Sequence, residues 1–207
     1  MPRDSLSGMQ ANRVGTQGTN RDESLGTGSV CWADVSSTDL AASREFYSGL
    51  FGWTYQIHWG RRRKQYLTAL CGGRPVAGLS GAPVQSGYPA GWTLYLASTD
   101  LARTAQVLGR RGGRVLTGPT DVPGQGRVLL GVDPTGAVVG FWQPARPWTF
   151  RRVAPGSLYW AELDTWNGPG ADEFFETCSA TSSGRSVTAS RWTTPPGHVT
   201  ARRCWAG

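Results

Sequence analysis

Residues 28–53 read GSVCWADVSSTDLAASREFYSGLFGW, and the chain starts the same text again at an offset of 128 residues. Gly28, Ser29, Trp32, Ala33, Glu45 and Phe46 recur without a gap as Gly156, Ser157, Trp160, Ala161, Glu173 and Phe174. Val30/Leu158, Asp34/Glu162, Val35/Leu163 and Tyr47/Phe175 are conservative matches at the same offset. Agreement at one spacing across a whole strand and helix marks a duplicated unit. In the first copy VCWADV is a short apolar strand, and Ser37, Thr38 or Asp39 can cap the helix that follows. Leu40, Phe46, Tyr47 and Leu50 suit one buried face of that helix, and Gly49 and Gly52 end it.

Downstream, Trp53 to Trp59, Gln65 to Cys71 and Pro75 to Ser80 have strand patterning, so residues 28–80 form a β-α-β-β-β module. A Gly/Pro-rich connector from Gly81 to Gly91 leads to a second module over 91–144. It runs through a strand from Trp92 to Ala97 and a helix from Leu101 to about Arg111, capped by Thr99 or Asp100 and stopped by Gly112 and Gly113. Strands Arg114 to Thr117, Arg127 to Val132 and Ala137 to Gln143 complete it, the last two joined by the DPTG turn, Asp133 to Gly136. Residues 28–145 therefore read as one complete domain and 146–155, with Pro147 and Pro155, as a linker. The echo at 156–177 opens a further unit with a strand (Ser157 to Leu163) and a helix (Ala171 to Glu176). At Cys178 the match stops, and residues 178–207 turn to Ser, Thr, Arg, Pro and Gly without periodicity. That tail and residues 1–27 are expected to be disordered.

Composition excludes several classes. With 39% apolar residues and ten Trp in 207 residues the chain can pack a core. Its longest apolar runs are strand-length, far short of the roughly 20 residues that span a bilayer, and the N-terminus has no apolar signal stretch. A soluble, cytoplasmic protein without a membrane partner is the expectation. Cys31, Cys71, Cys178 and Cys204 are widely spaced with no CxxC, which argues for reduced thiols and against a zinc cluster. The net charge of +7 is concentrated at the end: 178–207 hold four Arg and no acid, whereas 28–177 balance 14 basic against 11 acidic groups. A nucleic-acid footprint should form a face of the folded domain, so no nucleic-acid partner is expected. The one dense cluster, Arg61, Arg62, Arg63 and Lys64, reads as a solvated hairpin turn, with phosphate binding as the alternative.

Consecutive βαβββ modules, the FYSGLFGW helix ending (Phe46 to Trp53), the GGRV strand (Gly112 to Val115) and DPTGAVVGFWQP (Asp133 to Pro144) together resemble the vicinal oxygen chelate superfamily. This is the glyoxalase, bleomycin-resistance and extradiol-dioxygenase group. The closest similarity is to its tandem-domain actinomycete form, and it covers residues 28 to about 177. The resemblance implies an α+β fold in which paired modules form a cupped, half-open mixed sheet, with ligand or metal in the cup. Metal-binding members usually carry a His on the first strand, seven residues before the Asp that opens the helix, and a Glu on the last strand, seven after the turn Asp. Here those positions are Trp32, about Thr93 in the second module, and Gly140. A divalent site needs three or four converging N, O or S donors, and Trp and Gly side chains offer none. His58 stands alone on a strand and is read as structural. No metal or other cofactor is expected, a divalent metal being the alternative.

What remains is an aromatic cup. Strand alternation puts Trp32 with Asp34, Thr93 with Tyr95, and Gly140 with Trp142. Core filling and a small-molecule pocket both fit this pattern. In the second reading Trp32, Asp34, Tyr66, Thr93, Tyr95 and Trp142 bind the ligand, with Arg127 a further candidate. Trp faces attract cations and Asp34 can pair with one, so the expected ligand is small, flat, and aromatic or cationic. As a general base Asp34 has no His, Lys or second carboxylate fixed beside it in sequence.

The unfinished unit leaves Leu158, Tyr159, Trp160, Phe174 and Phe175 without a full core, and an apolar patch of that kind favours association. A reading frame shifted near residue 177 would account for the abrupt loss of acids; a genuine tail with an interaction role is the alternative. Three function classes stand open: metal-independent ligand binding of the bleomycin-resistance kind, a metal-dependent glyoxalase-type lyase, isomerase or dioxygenase, and an inactive or regulatory homologue. In the last, the unfinished unit would pair with another chain or in a homodimer.

Overall fold

Of the three candidate caps for the first helix, Asp39 takes the role: its carboxylate accepts from Ala42 N at 2.9 Å, and the helix closes at Gly52, whose φ of 67° suits glycine. Gly49, expected to help end the helix, lies inside it, and of the face expected to be buried Phe46 and Leu50 are exposed, because no element covers them among the described residues. Asp100 repeats the capping in the second module, accepting from Arg103 N at 3.0 Å. At the DPTG turn Asp133 is buried, and its Oδ1 is satisfied there by accepting from both Thr135 N and Ala137 N at 2.8 Å.

The computed structural model describes residues 26–60, 65–82, 90–179, 188–194 and 198–206. Among these, the first module comprises β1 (Val30–Ser37), α1 (Leu40–Phe51), β2 (Thr54–Trp59), β3 (Gln65–Cys71) and β4 (Arg74–Gly81). The second comprises β5 (Gly91–Ala97), α2 (Leu101–Arg110), β6 (Arg114–Val122), β7 (Gly126–Val132) and β8 (Val138–Pro144). The βαβββ reading of both modules holds. Only β6 runs well beyond its expected end, carried on by its antiparallel pairing with β7 as far as Val122–Gly126. The basic run at 61–64, most of the N-terminal segment and residues 83–89 of the connector lie outside the described residues.

All eight strands form one mixed, curled half-barrel in the order β2-β3-β4-β1-β5-β8-β7-β6. The modules meet where β1 runs antiparallel to β5, with Trp32 opposite Tyr95 and Asp34 opposite Thr93. Each first strand also lies parallel to the last strand of its own module, which sets Asp34 beside Gly78 and Tyr95 beside Gly140. Helices pack on one face, where Val35, Leu67, Ala69, Ala77 and Leu79 meet α1, and Leu96, Leu129, Val139 and Phe141 meet α2. Trp32, Asp34, Tyr66, Thr93, Tyr95 and Trp142 belong to the other, concave face.

The third unit departs from expectation. β9 (Trp160–Thr165) and α3 (Gly168–Ser179) form, and α3 lies against α2. Phe174 and Phe175, expected to lack a core, are 0% and 3% exposed among Leu96, Leu101, Leu108 and Val139. The second module supplies the apolar face that the unfinished unit cannot build for itself. Tyr159 and Trp160 do remain exposed. Where sequence patterning gave only a disordered tail, β10 (Thr188–Thr194) and β11 (His198–Ala206) pair with β9 in the order β10-β11-β9. The hydrogen-bonding edge of β9 is taken up by β11, a backbone requirement that side-chain periodicity does not report. No helix among the described residues is long and apolar enough to cross a membrane.

Candidate functional site

The junction of β1 with β5 collects the polar groups of the concave face around Asp34. Tyr95 donates its hydroxyl to Asp34 Oδ2 at 3.0 Å. Tyr66 reaches across from β3: its hydroxyl accepts from Trp32 Nε1 at 2.8 Å and also hydrogen-bonds Asp34. A chain of bonds thus runs from the Trp32 indole through Tyr66 to the carboxylate, which Tyr95 meets from the other module. Two glycines make the room. A Cβ on Gly78 would stand 1.9 Å from the Tyr66 hydroxyl, and one on Gly140 would stand 2.2 Å from the Tyr95 ring. Both are therefore needed for close approach rather than for turn geometry.

Burial pushes the Asp34 carboxyl up from 3.8 to about 7, against the two phenolic hydrogen bonds, which favour its ionised form. Burial, reinforced by the neighbouring Asp34, raises the phenols of Tyr66 and Tyr95 well above their ordinary value. Asp34 consequently changes charge near neutrality while both tyrosines stay neutral donors. Sequence spacing offers no partner for Asp34; the fold brings it two from strands 32 and 61 residues away.

Of the six residues expected to bind a ligand, Trp32, Asp34, Tyr66 and Tyr95 are brought into this one network, and Thr93 lies directly across from Asp34. Trp142 is on the same face but further along, beside Ala97 and 6% exposed. Arg127 falls outside, in an exposed ion pair with Asp121 at 3.2 Å. The linker holds the residues that sequence reasoning missed. Trp148 and Phe150 fold back into the cup, with Trp148 5.5 Å from Trp32 and 5.1 Å from Trp142 between ring centroids, and Phe150 5.7 Å from Trp32. Trp148 Nε1 donates to Cys31 O at 2.9 Å. Two large aromatics four to six residues beyond the last strand were the available signal, but they match no family motif. The Cys31 thiol beside them is inert: burial pushes it up to about 12.

The concave face is therefore half filled. On the second module's side Trp148 and Phe150 cover Trp142, Val128 and Leu130. On the first module's side His58 and Gln56 are exposed and Asp34, Tyr66, Thr68 and Ser80 are half-buried, with Thr68 Oγ1 and His58 Nε2 3.1 Å apart.

The sequence of residues 30–141 matches the model of the glyoxalase/bleomycin resistance protein/dioxygenase superfamily. The chain belongs to that superfamily. It is 34% identical over 162 residues to the anthracycline biosynthesis protein DnrV of Streptomyces peucetius, an alignment covering 72% of this chain and 58% of the relative. It is also 34% identical over 157 residues to CFP32 of Mycobacterium tuberculosis, designated a glyoxylase candidate, covering 72% and 59%. The chain thus spans little more than half the length of the curated relatives it matches. Among solved structures, the Mn(II)-bound glyoxalase of Novosphingobium aromaticivorans aligns with a TM-score of 0.52 at 16% identity, covering 73% of this chain and 52% of that one, which establishes the shared fold.

Superfamily membership raises the question of a metal, and the donor set at the corresponding positions does not fit one. The Trp32 indole N–H is a donor already given to Tyr66, and Gly140 has no side chain and is overlain by the Tyr95 ring. Asp34 is a single carboxylate whose hydrogen-bond partners are phenols. Among the described residues no three His, Cys, Asp or Glu side chains gather in one place.

Proposed function

We propose that this superfamily member binds a small, planar, aromatic or cationic molecule without a metal, on the concave face at the junction of β1 and β5. The carrying observation is Asp34: a carboxyl titrating near neutrality, held by two tyrosine hydroxyls, with no cation beside it in the described structure. An arriving cation supplies the missing charge, and the aromatic walls supply the apolar contact. The naming of a relative for anthracycline biosynthesis adds weight to a polycyclic aromatic ligand. Sequestration, as in bleomycin resistance, is the mode of action that needs no further groups.

A cation favours the ionised form of Asp34. Affinity should therefore rise with pH and level off above about 7, weakening about tenfold per unit on the acid side, because each binding event must there expel a proton. Titration of the protein with daunorubicin, a planar anthracycline carrying an ammonium group, checks this. Binding that keeps its strength in Asp34→Asn and is flat from pH 5 to 8 would refute the reading. Dialysis against EDTA should leave binding unchanged; loss of binding restored by Mn, Ni or Zn would favour the metal-dependent class.

A second reading follows from the same group. A carboxyl near pH 7 is poised for proton transfer, and its hydrogen-bonded phenols hold it in place. Exchange of solvent deuterium into a bound carbonyl compound, abolished in Asp34→Asn, would favour that reading over binding alone.

A further inference from the structure

We propose that Trp148 is a built-in occupant of a second compartment of this site, displaced when a planar aromatic guest with an in-plane carbonyl enters. The proposal rests on the aromatic-ligand reading above and adds how the apolar half of the cup becomes available. Trp148 is only half-buried, yet it covers Trp142, whose Nε1 is a fully buried side-chain nitrogen without a hydrogen-bond partner among the described residues. Leaving a buried N–H unmatched is costly, and the Trp148 ring, its centroid 5.1 Å from that of Trp142, offers no acceptor oxygen. A guest carrying a carbonyl in its ring plane would offer the same flat apolar surface as Trp148 and the acceptor that Trp148 lacks.

The segment that carries Trp148 is suited to release. Ala145 N is tied to Gln125 O at 2.8 Å in the second module, and Arg151 N to Pro75 O at 2.7 Å in the first. Between these anchors residues 146–150 have neither helix nor strand, and Trp148 and Phe150 are what seat them in the cup. Just beyond, Val153 adopts φ 56°, a left-handed conformation that a β-branched residue takes only under constraint. Both anchors can persist while the span between them lifts. Trp32 forms a wall of this compartment and is bonded through Tyr66 to Asp34, so a guest in Trp148's place can still set a cation against the carboxylate.

The test uses quinizarin, a neutral planar anthraquinone, so that the outcome does not depend on Asp34. Removing the occupant removes the cost of displacing it, so Trp148→Ala should bind quinizarin about tenfold more tightly than the unaltered protein. Trp142→Phe in that background should cancel the gain. Equal or weaker binding by a folded Trp148→Ala overturns the proposal, while daunorubicin binding that depends on Asp34 would still stand. If Trp148→Ala does not fold, amide exchange on the unaltered protein decides: saturating quinizarin should speed exchange at 148–150. Slower or unchanged exchange there means the guest lies elsewhere or over a seated Trp148, and contradicts displacement.

Discussion

On the helix side, α1 of the first module buries none of its residues, while α2 of the second buries Leu101, Thr104 and Leu108 and is itself covered by α3. The concave side repeats the contrast. Trp148 and Phe150 fill the second module's half, whereas the first module's half keeps Asp34, Tyr66, Thr68 and His58 half-buried or exposed. Both modules follow one βαβββ plan with the same Asp cap, so the plan does not decide which is covered. Residues beyond Pro144 do: α3 lies on the second module and Trp148 on Trp142, while Trp148, Phe150, Arg151 and Gly156 also tie back to Trp32, Pro75 and Trp53 of the first. The second module is the more covered half, and the first keeps the polar surface on which the proposed recognition depends.

The contrast can be broken at its strongest point first. Phe174→Ala removes a ring that is 0% exposed in the core shared by α3 and the second module, and should cost about 3–5 kcal/mol in chemical denaturation. A loss below about 1 kcal/mol would mean that α3 does not cover this module. Gly140→Ala drives a Cβ into the Tyr95 ring and should cost about 1–3 kcal/mol while separating Tyr95 from Asp34. Retention of both stability and daunorubicin binding would show that Tyr95 does not hold the carboxylate.

The next effect has the opposite sign. Unfolded, Asp34 titrates near 3.8; folded, near 7. Between those values the folded protein keeps a proton that the unfolded chain has released, so this group lowers stability as pH rises from about 4 to 7, and the penalty is full above 7. Asp34→Asn should therefore raise stability at pH 8 by on the order of 2 kcal/mol and change little at pH 4, read from denaturation midpoints at both values. Smallest is Phe46→Ser on the uncovered face of α1, where the ring is 60% exposed. A shift within about 0.5 kcal/mol is expected, and a larger loss would show that this face is covered in solution.

Sequence patterning carried the modules well because their signals are local: Asp39 and Asp100 cap, Gly52 and Gly112 stop, and the strands between them are apolar and short. Alternation also paired Trp32 with Asp34 and Thr93 with Tyr95, and the register of β1 against β5 brings the two pairs together on one face. Patterning did not reveal Tyr66 closing on Trp32 and Asp34, a contact that needs β3 to lie two strands from β1 and Gly78 to leave space for a hydroxyl. Trp148 and Phe150 were illegible for a different reason. Between two prolines and without periodicity, their segment reads as a linker, and only the apolar half-cup explains where its aromatics go. The pairing of β11 with β9 was hidden likewise, because a backbone edge in need of a partner leaves no mark on side-chain pattern.

Everything in the binding account turns on one carboxyl. A carboxyl-carbon NMR titration of Asp34, free and saturated with daunorubicin, tests it directly. A midpoint near 7 is expected in the free protein, falling by at least about one unit when the cation is bound. A free midpoint near 4, or one that the ligand leaves unmoved, would contradict it.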